Sequence, residues 1–361
     1  MCTIFLLAGA FGEVTKSIGA VDSLINLGTS FLSPSFLLVG IFLITAFLST
    51  SIGGAIGTIA AIGPIAAELS SMAHGLPAPL AMGTVVGGAM LGNNLSVVSD
   101  ATIAAVSSQG ADMHKRLKIN LRIASIASVV TVILLWFSAT ITVGDIKGGD
   151  YSLLLIAPYI VLIILAYGGV NVFASLLLST ALAGTIACFM KGDYGVIAFS
   201  NDLNAGFGNV NTIMLLSLMI GGMSGLVGEE AMTNVTGAIS TWMSKKKKVK
   251  SSLPQLVIAG LVSMATALLS NNVVAVIFCS KVAKGIAKEN GISSHYTATI
   301  LEVFACGVKG VLPYGAQVLL AASLANISPL SVIPYVYYCY ALIVSGIIFM
   351  LLVDKKAAVL N

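Results

Sequence analysis

The stretch MLGNNLSVVSDATIAAV, residues 90–106, places two asparagines, several hydroxyl groups and the carboxylate of Asp100 inside a long apolar region. Polar and ionisable groups are costly at membrane depth, and they mark functional sites by default. Residues Gly92 to Ser96 also interrupt the apolar helical pattern, which favours a helix that is broken within the membrane. We therefore predict a broken helix over residues 80–110, with polar groups exposed at its break.

The composition around this stretch is that of a membrane protein. Of 361 residues, 57% are hydrophobic and 9% are charged, and the mean hydropathy is +1.01. Soluble domains carry about 25% charged residues, so we predict an all-α polytopic protein of a bacterial or archaeal cell membrane. The clearest segments long enough to cross ~30 Å of hydrocarbon are Ile119–Ile141, Leu154–Tyr167, Val170–Met190, Ile213–Val227 and Ser331–Val353.

Other functional classes find little support in the sequence. The net charge is +4, but the densest basic run, Lys245–Lys248, follows an apolar segment and indicates a cytoplasmic membrane edge rather than a nucleic-acid site. The five cysteines form no C-x-x-C pair and the three histidines show no metal-ligand spacing. The sequence contains no nucleophile–base pair and no phosphate loop, so we predict no enzyme activity, no cofactor and no resident metal. We expect the lipid bilayer to surround the protein.

The basic residues predict the topology. Clusters at 115–122, 245–250, 281–288 and 355–356 should all be cytoplasmic by the positive-inside rule. Residues 253–280 then have both ends on the same side, which predicts a re-entrant hairpin with its tip at Ser270, Asn271 and Asn272. The first half contains a matching hairpin over 36–69, whose tip is at 49–54.

The order of elements repeats in the second half with the opposite orientation. A second broken helix is predicted over 296–326, interrupted at Leu312–Gly315. Inverted repeats with interrupted helices at matching positions are typical of secondary transporters. We predict an inverted-repeat ion-transporter fold with two re-entrant hairpins and two broken helices. Its parts are a first repeat over 1–118, connecting spans over 119–228, and a second repeat over 229–361 that includes a last span at 331–353.

The breaks supply ligands for a cation. Carbonyl ends of half-helices suit a cation, and their N–H ends suit an anion. Two carboxylates, Asp100 and Glu302, are predicted to be buried and to exchange Na⁺ for H⁺ in one shared pocket. The neutral oxygen donors predicted to bind the ion with them are Asn93, Asn94, Ser96, Ser99, Thr102, Asn271, Asn272 and Gln317.

Two of these assignments have alternatives. Asp100 follows Ser99 at the start of a half-helix, so it could serve only as a helix cap. Lys309 lies seven residues after Glu302 on the same helix face. It is predicted as the charge partner of Glu302, in a salt bridge that neutralises two buried charges; the alternative is a built-in cation that competes with the transported one.

Four stretches resemble the NhaC-type sodium/proton antiporters of the ion transporter superfamily. The two more specific ones are GTVVGGAMLGNNLSVVSDATIAAVSSQGADM (83–113) and ILEVFACGVKGVLPYGAQVLLAASLANISPLSVIPY (300–335), and the others cover 21–66 and 215–227. The residues that match the family motifs are Asn94, Ser96, Ser99, Asp100, Thr102, Pro313, Tyr314, Gly315 and Gln317.

Three residues depart from the family pattern. Asn93 and Glu302 stand where the family has Asp, and Lys309 stands where it has Gln. The resemblance implies exchange of Na⁺ for H⁺, but these departures leave the transported ion open. It also implies more chain before Cys2, so we expect an N-terminally short copy.

The leading hypothesis is therefore a Na⁺/H⁺ antiporter that transports Na⁺ and H⁺. The alternatives are a Na⁺- or H⁺-coupled exchanger or symporter of organic acids or amino acids, and a degenerate paralogue that does not transport. A homodimer is compatible with the sequence, which does not fix the oligomeric state.

Overall fold

The computed structural model describes residues 2–20, 23, 34–72, 76–97, 99–142, 152–168, 170–190, 194–211, 214–215, 218–219, 222 and 252–352. Within these ranges the chain forms helices and no strand. The helices are α1 Cys2–Ser17, α2 Pro34–Ile52, α3 Ala55–Met72, α4 Ala78–Leu95, α5 Asp100–Gln109, α6 Met113–Thr142, α7 Leu153–Tyr167, α8 Val172–Met190, α9 at 196–211, α10 Leu253–Leu269, α11 Asn272–Asn290, α12 Ser294–Gly310, α13 Ala316–Leu324, α14 Pro329–Val332 and α15 Tyr337–Leu352.

Several of these helices have the length and composition of membrane spans. In the described part of the chain three segments qualify, Ala78–Gln109, Met113–Ala139 and Phe173–Met190, and a fourth if the bent pair Ala316–Leu324 and Pro329–Tyr335 is one span. Five shorter helices are also apolar. The predicted all-α class is confirmed, and the apolar helices are those of a polytopic membrane protein. The predicted span Ile213–Val227 and the lysines at 245–250 lie almost wholly outside the described residues.

The first hairpin and the first break are placed by residues that tolerate or require non-helical backbone. α2 and α3 are separated by Gly53, whose φ of 75° is left-handed, and by Gly54. α4 ends at Leu95, and Ser96 and Ser99 are extended. α5 then begins at Asp100, so the helix predicted over residues 80–110 is interrupted. The interruption lies between Leu95 and Asp100, later than the predicted Gly92–Ser96, because residues 92–95 still belong to α4.

The second hairpin has a capped tip. Ser270 closes α10 with a φ of 52°. The side chain of Asn271 then accepts hydrogen bonds from the main-chain N–H groups of Val273 and Val274, at 3.0 and 3.3 Å. An asparagine at this position satisfies N–H groups that the first turn of α11 leaves unpaired.

The second break follows from a proline. α12 ends at Gly310 and α13 begins at Ala316. Pro313 lacks a backbone N–H and also disfavours the helical conformation in the residue before it, so α12 cannot continue through it. The predicted interruption at Leu312–Gly315 is therefore where the structure has it.

Glycines let α2 and α4 pack closely. A Cβ on Gly88 would lie 2.6 Å from the main-chain oxygen of Phe42, and a Cβ on Gly92 would overlap the main-chain oxygen of Ala46. The hydroxyl of Ser49 donates to the main-chain oxygen of Ala89 at 2.6 Å across the same contact. Small residues at such spacing permit the backbones of membrane helices to approach, and this contact holds the first hairpin against the first broken helix.

Candidate functional site

A cavity of about 290 Å³ lies where both hairpin tips meet both helix breaks. We call it the central cavity. It is lined by residues 52–57 of the first tip, 93 and 99–101 of the first break, 271–273 of the second tip, and Lys309 and Gln317 on the two sides of the second break. Six of the ten predicted ion-binding residues line it: Asp100, Asn93, Ser99, Asn271, Asn272 and Gln317.

Asp100 is the carboxylate of the central cavity. It is the first residue of α5, and it is exposed rather than buried as predicted. The reason is its place at the end of a half-helix, where the chain leaves the packed core and borders the cavity. Among the described residues, none forms an ion pair with Asp100. The N-cap residue of α5 is Ser99, whose side chain makes no cap hydrogen bond, and Asp100 is the acidic residue of the first turn.

Glu302 lies outside the lining of the central cavity and pairs with Arg116. The carboxylate is 1% exposed and the guanidinium 0% exposed. The hydroxyl of Thr102 donates to the other carboxylate oxygen, at 2.5 Å. Both oxygens of Glu302 are therefore engaged by protein groups, although α5 brings Thr102 and Asp100 within one turn of each other.

The predicted salt bridge between Lys309 and Glu302 is wrong. Seven residues rise about 10.5 Å along a helix. The two side chains are therefore too far apart for direct contact unless both extend toward each other along the helix axis. The Lys309 ammonium instead donates to the side-chain oxygen of Asn272 at 2.8 Å, and Lys309 is 9% exposed. Lys309 thus projects into the central cavity, and Glu302 takes its partner from another helix.

The carbonyl end of α4 is satisfied by α6. The main-chain oxygen of Asn94 accepts from Arg116 at 3.2 Å and from Asn120 at 2.7 Å. The Asn94 side chain donates to the hydroxyl of Tyr338 at 3.0 Å. Asn94 is therefore held by protein groups and does not line the central cavity.

The sequence analysis missed Arg116 and Asn120, which hold the carbonyl end of α4 outside the central cavity, because Arg116 was counted only as a topology charge. Both are fully buried, unlike the neighbouring Lys115 and Lys118. Their spacing of four residues places them on one helix face. A basic residue four positions before an asparagine at the start of an apolar span was the available signal.

The neutral oxygen donors divide into two groups. Ser99 donates to the side-chain oxygen of Asn93 at 3.1 Å within the cavity wall. Ser96 turns away and donates to the main-chain oxygen of Thr50 at 2.9 Å. Gln317 is 2% exposed, and its side-chain oxygen has no hydrogen-bond partner in the described part of the chain.

A second cavity of about 330 Å³ contains an ion pair but none of the predicted site residues. Lys16 and Glu68 are 3.4 Å apart in it, and Lys16 is 59% exposed. Glu13 also lines this cavity, and its carboxylate accepts a hydrogen bond from the side chain of Asn209 at 3.1 Å. Among the described residues no group of three or more His, Cys, Asp or Glu side chains could hold a metal ion.

The fold and the site define a class: an apolar, all-helical membrane protein with a polar cavity at its helix interruptions. Residues 1–140 match the model of the Na⁺/H⁺ antiporter family. The Na⁺/H⁺ antiporter NhaC of Alkalihalophilus pseudofirmus is 23% identical over 93% of this chain and 79% of its own length. The NhaC antiporter of Bacillus subtilis is 21% identical over 89% of this chain and 77% of its own length.

A third relative is the malate-2H⁺/Na⁺-lactate antiporter of Bacillus subtilis. It is 32% identical over 131 residues, which are 36% of this chain and 28% of the relative. These relatives are antiporters by name and none is an enzyme. The chain is thus a relative of the NhaC-type sodium/proton antiporters, and the resemblance seen in the motifs is confirmed.

Proposed function

We propose that the protein is a cation/proton antiporter that exchanges Na⁺ for H⁺ at Asp100. The observation that carries this proposal is the central cavity, which brings one accessible carboxylate together with neutral oxygen side chains from the second hairpin tip and from both helix breaks. Interrupted helices that meet around a polar cavity form the substrate sites of secondary transporters.

The proposal includes an inverted repeat, which recurring helix boundaries support. α12 begins at Ser294, 216 residues after α4 begins at Ala78, and α13 begins at Ala316, 216 residues after α5 begins at Asp100. The same spacing of 216 residues separates Cys306 from Met90. The thiol of Cys306 donates to the main-chain oxygen of Met90 at 3.6 Å. A contact between equivalent positions is expected where two related helices cross on a symmetry axis.

The recurring boundaries also suggest an adjustment of the repeat. Pro329, at the start of α14, follows Met113, at the start of α6, by the same 216 residues. The first repeat would then extend past residue 118 into α6. The hairpins α2–α3 and α10–α11 would be the re-entrant elements of the first and the second repeat. Rocking of one half against the other would expose the central cavity to each side in turn.

Exchange on Asp100 needs no further chemistry. A carboxylate can hold a proton or serve as a Na⁺ ligand, and occupancy by one disfavours the other because both use the same oxygen atoms. Ser99, Asn93 and Gln317 would complete the oxygen shell around the ion. One occupant at a time, combined with alternating access, couples the two flows.

The test is Na⁺-driven proton movement in proteoliposomes that contain the purified protein. An imposed Na⁺ gradient should change the internal pH, and Asp100→Asn should abolish the response. Asp112→Asn is the matched control, since Asp112 is an exposed carboxylate twelve residues away that does not line the central cavity. Normal exchange by Asp100→Asn would refute the assignment of this residue.

A second candidate function is the exchange of small organic acids, which the ammonium of Lys309 in the central cavity favours. The malate/lactate antiporter among the relatives also agrees with this candidate. Thermal stabilisation of the protein by organic acids in choline buffer, where Na⁺ alone has no effect, would favour it over Na⁺/H⁺ exchange.

A further inference from the structure

Arg116 occupies a position in which a broken helix would otherwise offer ligands to a cation. Its guanidinium contacts the carboxylate of Glu302 and the main-chain oxygen of Asn94 at the end of α4. Carbonyl groups at half-helix ends, together with acidic side chains, are what transporters use to coordinate Na⁺ and H⁺. At this position the chain supplies the positive charge from its own α6.

The charge at this position is permanent. A guanidinium stays protonated over the pH range of cells, and its planar donors match a carboxylate. Thr102 occupies the remaining oxygen of Glu302. The carboxylate of Glu302 therefore has a fixed counter-charge whether or not the central cavity is occupied.

The central cavity keeps a single carboxylate, that of Asp100. The side-chain oxygen of Gln317, another lining residue, is fully buried and makes no hydrogen bond to any described residue. A buried acceptor without a donor is expensive, and rotation of this side chain toward a cation bound beside Asp100 would satisfy it. The described lining thus contains one carboxylate, which can exchange one proton.

We propose that Arg116 is a resident cation that permanently fills one of two cation positions, so that each cycle exchanges one Na⁺ for one proton at Asp100. This inference rests on the proposed antiport function. Asp100 releases one proton when it binds one Na⁺, so the cycle moves no net charge across the membrane. Arg116 acts as a positioning residue, because it touches neither Na⁺ nor the transported proton.

The first experiment asks whether Na⁺ can replace the guanidinium. The thermal stability of purified Arg116→Gln, which keeps Glu302, is compared in NaCl and in choline chloride of equal concentration. Na⁺ at about a hundred times its Kd should raise the Tm by about 5 °C more than in the wild type. The double variant Arg116→Gln/Glu302→Gln, which has no carboxylate to bind Na⁺ there, should show no such extra shift.

Two results of this experiment would overturn the inference. One is an Arg116→Gln protein whose stability responds to Na⁺ no more than the wild type does. The other is an Arg116→Gln protein that fails to fold even in saturating Na⁺, because the ion would then be unable to fill the vacated position.

The second experiment measures stoichiometry. Uptake of ²²Na⁺ and efflux of protons are recorded in proteoliposomes whose membrane potential is clamped with K⁺ and valinomycin. The wild type should exchange about one Na⁺ per proton, with a rate that changes less than about twofold when the clamped potential is changed. The double variant, if folded, should retain this ratio, since both residues lie outside the transport step.

The outcomes separate the inference from the function on which it rests. No Na⁺-driven proton movement by the wild type would overturn the antiport proposal and this inference with it. Antiport that depends on voltage, or that the double variant loses while remaining folded and monodisperse, would overturn only the resident cation and would make Glu302 a second ion carrier.

Discussion

The ion pair between Arg116 and Glu302 should contribute to stability in a strongly non-additive way. Both groups lie in the interior, and each compensates a charge that the surrounding apolar helices cannot. Removal of one member of a buried ion pair costs about 3–5 kcal/mol, because the other charge is left uncompensated, whereas neutral replacement of both members is often tolerated. We expect each single glutamine variant to fall in this range.

The local hydrogen bonds indicate that the double variant loses little free energy of unfolding. Asn120 continues to donate to the main-chain oxygen of Asn94 after Arg116 is replaced. A glutamine at 302 still offers an oxygen to the hydroxyl of Thr102. The double variant Arg116→Gln/Glu302→Gln should therefore lie within about 2 kcal/mol of the wild type, so that the two single losses sum to several kcal/mol more than the double loss.

The assay is unfolding of the four proteins in mixed detergent micelles, arranged as a double-mutant cycle. Lys16 and Glu68 provide the control cycle, because their side chains are 59% and 15% exposed. Solvent screening should limit the coupling of this control pair to below about 1 kcal/mol. Single losses at Arg116 or Glu302 below about 1 kcal/mol, or a double loss equal to their sum, would refute the assignment of a buried, mutually compensating pair.

Three further predictions concern the packing of α2 against α4, the cap of α11 and the exposed carboxylate of Asp112. Gly92→Ala should destabilise the fold by about 1–3 kcal/mol in the same unfolding assay, because its methyl group meets the backbone of α2, whereas Gly260→Ala, with open space around it, should not. Asn271→Ala should cost about 1 kcal/mol through loss of the α11 cap, and Asn271→Ser should recover most of it. The pKa of Asp112 is lowered below 3.8, chiefly by the hydrogen bond from the main-chain N–H of Lys115. Its contribution to stability should be present above pH ~4 and lost as the pH falls through the lowered pKa, and acid titrations of unfolding should show less of this loss in Asp112→Asn.

The sequence predicted the local features of the fold well because their causes are local. Glycine at 53, asparagine at 271 and proline at 313 each limit the backbone within a few residues, so both tips and the second break could be placed, whereas the first break begins after Leu95 rather than at Gly92. The partner of Glu302 could not be predicted in the same way. Lys309 was the nearest cation along the chain, whereas Arg116 reaches Glu302 only through the packing of α6 against α12, and no pattern within either helix encodes that contact.

The same limit explains the difference between the two carboxylates. Asp100 and Glu302 were both expected to be buried carriers, since each interrupts an apolar run. Burial depends on which helices cover the residue, and the structure covers Glu302 while leaving Asp100 beside the central cavity. A polar residue in an apolar segment therefore identifies a site to inspect, and packing decides whether that residue is a structural partner or an ion ligand.

The charge balance of the central cavity connects the two candidate functions. α5 and α13 both begin near this cavity without a side-chain cap, at Ser99 and Gly315, so their N–H ends add partial positive charge to that of Lys309. With Lys309 counted as one full positive charge and each of the two helix N-termini as about +0.5, an ionised Asp100 offsets about half of this positive charge. A protonated Asp100 offsets none of it, and the cavity then attracts an anion more strongly. In the proposed function, protonation of Asp100 therefore shifts this one cavity from favouring Na⁺ toward favouring an organic acid.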